Sequence, residues 1–156
     1  MGVVGDMVLR AFELGDKQDF EGMAEVQAED CQLTMPGVSI NGRAEAEPYY
    51  RTLWEAFPDG RHDIRKVIET PTTVVVEAFW SGHHSGPFRM PTGVLPPSGR
   101  EVSFHLVSVN EPRDGKIRSV RVYYDTMEFL NGLGLLAPPD VDGDGQGDAA
   151  GLWKDG

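Results

Sequence analysis

From Arg61 to Asp125 the chain is dominated by segments with the period-two pattern of β-strands. "RHDIRKVIE" alternates, "TTVVVEAFWSGHH" is β-branched and aromatic, and "REVSFHLVSVNEP" and "KIRSVRVYYD" follow. "RDG" reads as a tight hairpin joining the last two. Between Gly86 and Gly99, four prolines and three glycines mark an irregular excursion linking two strands. This succession predicts one long antiparallel sheet, and the rest of the chain must cover it.

The remaining segments supply the cover. Val4, Met7, Val8, Ala11 and Phe12 recur at helical spacing until Gly15 and Asp16 break the pattern. A short second helix places Phe20, Met23 and Ala24 on one face. "CQLTMPGVSINGR" alternates Cys31, Leu33 and Met35 against Gln32 and Thr34, with Pro-Gly and Asn-Gly turns bounding the next short strand. From about Ala44 to Phe57, the residues Tyr50, Leu53, Trp54 and Phe57 form an aromatic stripe at i, i+3, i+4 and i+7. Pro48 is expected in or near the first turn of that helix. A last short helix is expected at "TMEFLNGLGLL".

Helices segregated from strands give an α+β class: a curved antiparallel sheet packed on N-terminal helices, one domain over residues 1–137. Residues 138–156 form an acidic segment expected to be an unstructured tail. Asp140, Asp142, Asp144 and Gly145 match the first positions of a calcium loop, but Gly151 stands where the bidentate Glu belongs, so no calcium site is expected.

With 14 basic and 25 acidic residues the net charge is -11, which argues against nucleic acid or an anionic membrane as partner. No basic leader opens the chain and no apolar stretch reaches membrane-span length, so a cytoplasmic location is expected. Lone Cys31 suits that compartment and reads as a buried structural thiol.

The paired histidines of "SGHHSGPF" raise the question of a metal. Adjacent strand residues point to opposite faces, so His83 and His84 cannot share one centre, and no Cys pair or HExxH stands nearby. No metal is expected; His84 and His62 read as surface residues.

Alternation sorts the last strands. Arg121, Tyr123 and Asp125 share one face and Val120, Val122 and Tyr124 the other; Ser103, His105, Val107 and Val109 oppose Phe104 and Leu106. An aspartate in an apolar pocket has its charged form disfavoured, which suits Asp125 to proton transfer; Asp is equally a preferred N-cap for the helix that follows. Paired through "RDG", His105 could share the wall carrying Asp125, as a basic partner or a satisfied histidine. Tyr50, Trp54, Met35, Trp80, Phe79 and Phe88 read either as core or as an apolar substrate wall.

Several pieces then fall in a known order: "FPDGRHDI", "SGHHSGPF", "PTGVLPPSGREVSF", "RDGKI", and "VYYD" before a helix ending "LGLL". The set resembles the SnoaL-like polyketide cyclases and ester cyclase-like proteins, of the nuclear-transport-factor-2-like superfamily, over about residues 5 to 136. The resemblance implies a cone-shaped fold with a deep apolar pocket between sheet and long helix. It also implies acid/base chemistry without metal or cofactor, and a homodimer formed through the outer face of the sheet. It makes the chain a cyclase closing a ring in a polyketide-like intermediate of secondary metabolism, such as antibiotic biosynthesis. Asp125 matches the acid/base aspartate, with His105 assisting; Tyr50 or Tyr123 would orient an oxygen, and His83 would stand at the pocket mouth. The rival readings are an epoxide hydrolase or epoxide-opening ether cyclase, and a non-catalytic small-molecule binding module.

Overall fold

The computed structural model describes residues 1–136, so the expectations for the acidic tail and its calcium-like spacing lie outside the described residues. The elements are α1 (Val3–Asp16), a 3-10 turn (Gly22–Glu25), β1 (Gln27–Met35), β2 (Val38–Asn41), α2 (Arg43–Ala56) and β3 (Arg61–Glu69). There follow β4 (Val74–His83), β5 (Phe88–Met90), β6 (Gly93–Leu95), β7 (Glu101–Arg113), β8 (Lys116–Tyr124) and α3 (Thr126–Gly132). Six strands form one open sheet in the order β2-β1-β8-β7-β4-β3. Its neighbours are antiparallel except β1 and β8, which run parallel. The expected α+β class with a single domain and a curved sheet is the fold observed.

The centre of the sheet is the β4–β7 pair, ten residues in unbroken register from Val74 opposite Asn110 to His83 opposite Glu101. Residues directly opposite share a face. Val74, Val76, Ala78, Val102 and Leu106 are buried, so even-numbered positions of both strands face the helices. The β7–β8 hairpin turns on Asp114 and Gly115, both at positive φ, as a two-residue loop of primed type requires. Its register sets Leu106 opposite Tyr124 and Ser108 opposite Val122, so Val120, Val122 and Tyr124 also face inward. In β3 a bulge between Ile64 and Lys66 switches the inward set from His62 and Ile64 to Val67 and Glu69.

Three expectations need adjusting. The second helix is a single 3-10 turn. Pro48 lies in the second turn of α2, because that helix already begins at Arg43. The irregular excursion contains a small hairpin, β5 with β6, turned by Pro91 and Thr92.

The helices occupy the concave side. Under α1, Val8 packs with Val74, Val76 and Ile117; under α2, Ala46 packs with Leu33 and Ile40. At the other end Ala56, Phe57, Val102 and Leu133 form a second cluster against α3 and the β5–β6 hairpin. The segment after β4 crosses the end of α2: Ser85 and Gly86 both donate their backbone N–H to the Ala56 carbonyl at 3.2 Å. This satisfies a carbonyl that the helix end would leave unpaired. Only glycine fits there, since a Cβ on Gly86 would fall inside the contact radius of the Glu55 carbonyl oxygen. Gly86→Ala should therefore destabilise the fold by about 1–3 kcal/mol. Urea denaturation monitored by circular dichroism measures this, and an unchanged midpoint would refute the crossing as described.

Candidate functional site

Strand parity and helix spacing bring two aromatic rows face to face across the concave side. On the sheet, Trp80 stacks on Phe104 at 5.1 Å and Phe104 lies 4.9 Å from Tyr124. On α2, Tyr50 stacks on Trp54 at 5.6 Å, as their i, i+4 spacing allows. The far end is closed by Phe57, Phe88 and Phe129, with Phe129 standing edge-on to Phe104 at 5.5 Å. Tyr50, Trp54, Trp80, Phe104, Val122 and Tyr124 all point inward or line this space, yet each is only half-buried. These rings face inward against the core and keep some accessible surface.

The polar groups here are neutral. Burial pushes the Tyr50 phenol up to about 12, opposed by its hydrogen bond with Gln27. Burial raises Tyr124 as well, and Tyr49 further, the latter with its hydroxyl 2.7 Å from Met35 Sδ. All three therefore stay protonated as hydrogen-bond donors across the physiological range. Cys31 is buried and its thiol is pushed up to about 11, mainly by desolvation, as befits a structural cysteine. Among the described residues the inward positions of the sheet carry one carboxylate, Glu69. It accepts from the Gly2 and Gly5 N–H groups and so holds the start of α1.

Of the residues singled out from the sequence, Tyr50, Trp54, Met35, Trp80 and Phe88 reach the interior or its end. The others do not. Tyr123 is 56% exposed on the outer face. His105 shares that face, its ring 5.0 Å from Phe79, with Nδ1 3.7 Å from Glu128 Oε1 and a side chain 72% exposed. Both are odd-numbered members of strands whose even positions form the concave wall. Phe79 is outward for the same reason. Asp125 is the N-cap of α3, its Oδ1 accepting from Met127 N–H at 2.9 Å, exposed at the rim one residue beyond Tyr124. Arg121 pairs on the outer face with Glu111 at 3.1 Å, not with Asp125.

The two histidines do part to opposite faces, but with their burial reversed. His83, expected at the pocket mouth, is exposed and held by Asp59, whose carboxylate takes the His83 backbone N–H at 2.7 Å and Nδ1 at 2.6 Å. That carboxylate raises the His83 pKa. His84, expected on the surface, is fully buried beside Phe57 at 5.5 Å, because even parity continues one residue past the strand. The signal was available in the alternation of "VVVEAFWSGHH", where His84 keeps the parity of Trp80. His62 is half-buried and pairs Nδ1 with Asp16 at 2.7 Å, against a surface groove of about 420 Å³ between α1 and β3.

A family model for SnoaL-like polyketide cyclases matches residues 6–133. The chain belongs to that family. No functionally curated protein matches it in sequence. Among solved structures, a candidate SnoaL-like polyketide cyclase from Jannaschia sp. CCS1 superposes with a TM-score of 0.75 at 24% identity, over 86% of this chain and 93% of that one. IdmH, a candidate polyketide cyclase from Streptomyces antibioticus, gives 0.71 at 21% identity, over 85% and 99%. An LEH-like epoxide hydrolase from M. tuberculosis gives 0.65 at 18%, over 83% and 84%. These likenesses establish the fold that this SnoaL-like protein shares with them.

Desolvation lowers the His84 pKa below its ordinary value of 6.5. The unfolded chain then binds a proton that the folded one refuses, so stability should fall as pH drops below about 6.5. His84→Asn keeps an acceptor at the Nδ1 position and removes the titration. Denaturant midpoints at about pH 7 and about pH 5 should diverge for the parent and much less for the variant. Equal pH dependence in both would show that His84 does not titrate as its burial requires.

Proposed function

We propose that this SnoaL-like protein is a cofactor-independent cyclase that binds a flat, hydrophobic, polyketide-like substrate between α2 and the concave face of the sheet. The observation that carries this reading is the pair of inward-facing aromatic rows, Tyr50–Trp54 and Trp80–Phe104–Tyr124, each residue half-buried. Stacked rings offer a conjugated ligand broad contact at little entropic cost, and protonated phenols supply donors for its oxygens. The family membership supports ring closure as the reaction. In this reading Asp125, at the rim beside Tyr124, moves the proton from the carbon that becomes the nucleophile.

Asp125→Asn should lower turnover about 100- to 10,000-fold while leaving stability unchanged, since Asn caps a helix as well as Asp. Asp125→Ala should cost about 1 kcal/mol of stability in addition. Rates of ring closure on a poly-β-ketone substrate and melting curves separate the two effects. A second reading, a binding module without catalysis, is favoured by one observation: apart from Glu69, the inward face of the sheet carries no carboxylate among the described residues. Full turnover by Asp125→Asn would end the role given to Asp125, and an absence of turnover in the parent would favour the binding module. The epoxide-opening alternative draws less support, because Arg121 is engaged by Glu111 on the outer face.

The outer face of the sheet carries Phe79, Val107 and Tyr123, the last two exposed, and among the described residues only Glu128 of α3 reaches its edge, at His105. We infer that it pairs with a second copy about a two-fold axis, as uncovered apolar sheet faces do. Light scattering at micromolar concentration should give twice the chain mass, and Tyr123→Glu should reduce it to a monomer. A monomeric parent would sink this assembly.

A further inference from the structure

The bond between Asp16 and His62 does more than join α1 to β3. Asp16 is the last residue of α1 and His62 the second of β3. One carboxylate oxygen accepts the His62 backbone N–H at 3.0 Å, and the other lies 2.7 Å from Nδ1. An ionised carboxylate only accepts, so the ring proton sits on Nδ1 and the neutral ring presents a lone pair at Nε2. Nε2 has no partner among the described residues and keeps accessible surface. Anchoring the helix accounts for Nδ1 and the backbone N–H, and leaves Nε2 without a task.

The surroundings set this ring apart from His83, which Asp59 grips through the same two atoms. There the two side chains are 55% and 52% exposed, whereas those of His62 and Asp16 are 22% and 25% exposed. His62 stands on the inward side of β3, opposite Trp80 in the register, with Phe12 edge-on at 4.9 Å. It lines the groove of about 420 Å³ whose apolar walls are Leu9, Phe12 and Ile64. That volume falls within the roughly 300–1,000 Å³ of small-molecule sites. The charged groups of the groove are Glu13, Asp16 and Lys17, and Lys17 is already paired with Glu13. Two carboxylates against one ammonium, in a chain of net charge -11, disfavour an anionic ligand.

We propose that the groove between α1 and β3 is a second small-molecule site, taking a neutral, flat, apolar molecule whose hydroxyl, a phenol or an enol, donates a hydrogen bond to His62 Nε2. The walls supply apolar contact and the ring supplies one acceptor at a fixed position. Because Asp16 already holds the ring, little side-chain freedom is lost when the ligand binds. The site is separate from the Tyr50–Trp54 row and does not rest on the reading given to that interior.

The test uses the full chain and two probes with one ring system, naphthol and methoxynaphthalene, of which only naphthol can donate. Binding is read from the methyl signals of Leu9 and Ile64 in the groove and of Val122 in the interior. Leu9 and Ile64 should move with both probes, and naphthol should bind about tenfold more tightly, the worth of one hydrogen bond in a sheltered site. His62→Asn keeps a donor toward Asp16 but has nothing at the Nε2 position, and should bind the two probes equally. Asp16→Asn should also abolish the preference. With its oxygen taken by the His62 backbone N–H, its amide N–H faces Nδ1 and puts the ring proton on Nε2, where either probe can accept. Unmoved Leu9 and Ile64 signals, or shifts confined to Val122, would overturn the groove site while leaving the interior reading to stand on its own. A preference that survives in His62→Asn would overturn the role of His62. Should the variants not fold, ring ¹⁵N spectra of the parent decide. The unprotonated Nε2 signal should move upfield with naphthol and stay in place with methoxynaphthalene, and an unmoved signal overturns the proposal.

Discussion

Everything in this protein hangs on the unbroken pairing of β4 with β7. Ten residue pairs without a bulge leave no freedom in which side chains turn inward. A slip of one residue would send Val74, Val76, Ala78, Val102 and Leu106 to solvent and bring Glu77 and His105 inward. Burial of the apolar set thus fixes the register, and β8 inherits it through the Asp114–Gly115 turn. The two faces of the sheet acquire different chemistry from this single constraint. The concave face is aromatic and aliphatic, and the outer face mixes His105, Tyr123 and the Arg121–Glu111 pair with exposed apolar groups.

On the concave face, desolvation governs the polar groups. It holds Tyr50, Tyr49 and Tyr124 as phenols, Cys31 as a thiol and His84 as a neutral imidazole. Each of these favours the uncharged form, so the interior presents hydrogen-bond donors and ring faces instead of charge. Such a lining suits a conjugated, oxygenated ligand better than an anion or cation.

The stretch "SGHHSGPF" shows how a short segment serves several ends at once. Its backbone caps α2 through Ser85 and Gly86, and its parity sends one histidine to Asp59 in solvent and the other to Ser98 in the core. The glycines are needed for approach: Gly82 lies against Gly60 and Trp80, and Gly86 against the α2 backbone. The same eight residues thereby tie the sheet to the end of the helix that bears Tyr50 and Trp54.

The chain by itself determined the class, the strand sequence, the aromatic stripe of α2, the parity of each strand and the separation of His83 from His84. All of these follow from periodicities of two and 3.6 that local residues carry. The ordered motifs also pointed to the SnoaL-like family, which the match over residues 6–133 establishes. What the chain could not state was which parity faces the helices. Val120, Val122 and Tyr124 look no more interior than Arg121, Tyr123 and Asp125 until β8 is paired with β7 and β7 with β4. That long-range register placed His105 and Tyr123 outside, left Asp125 capping α3 at the rim and buried His84. Periodicity is a local property of the strand, whereas inside and outside belong to the assembled sheet and the helices that cover one side of it.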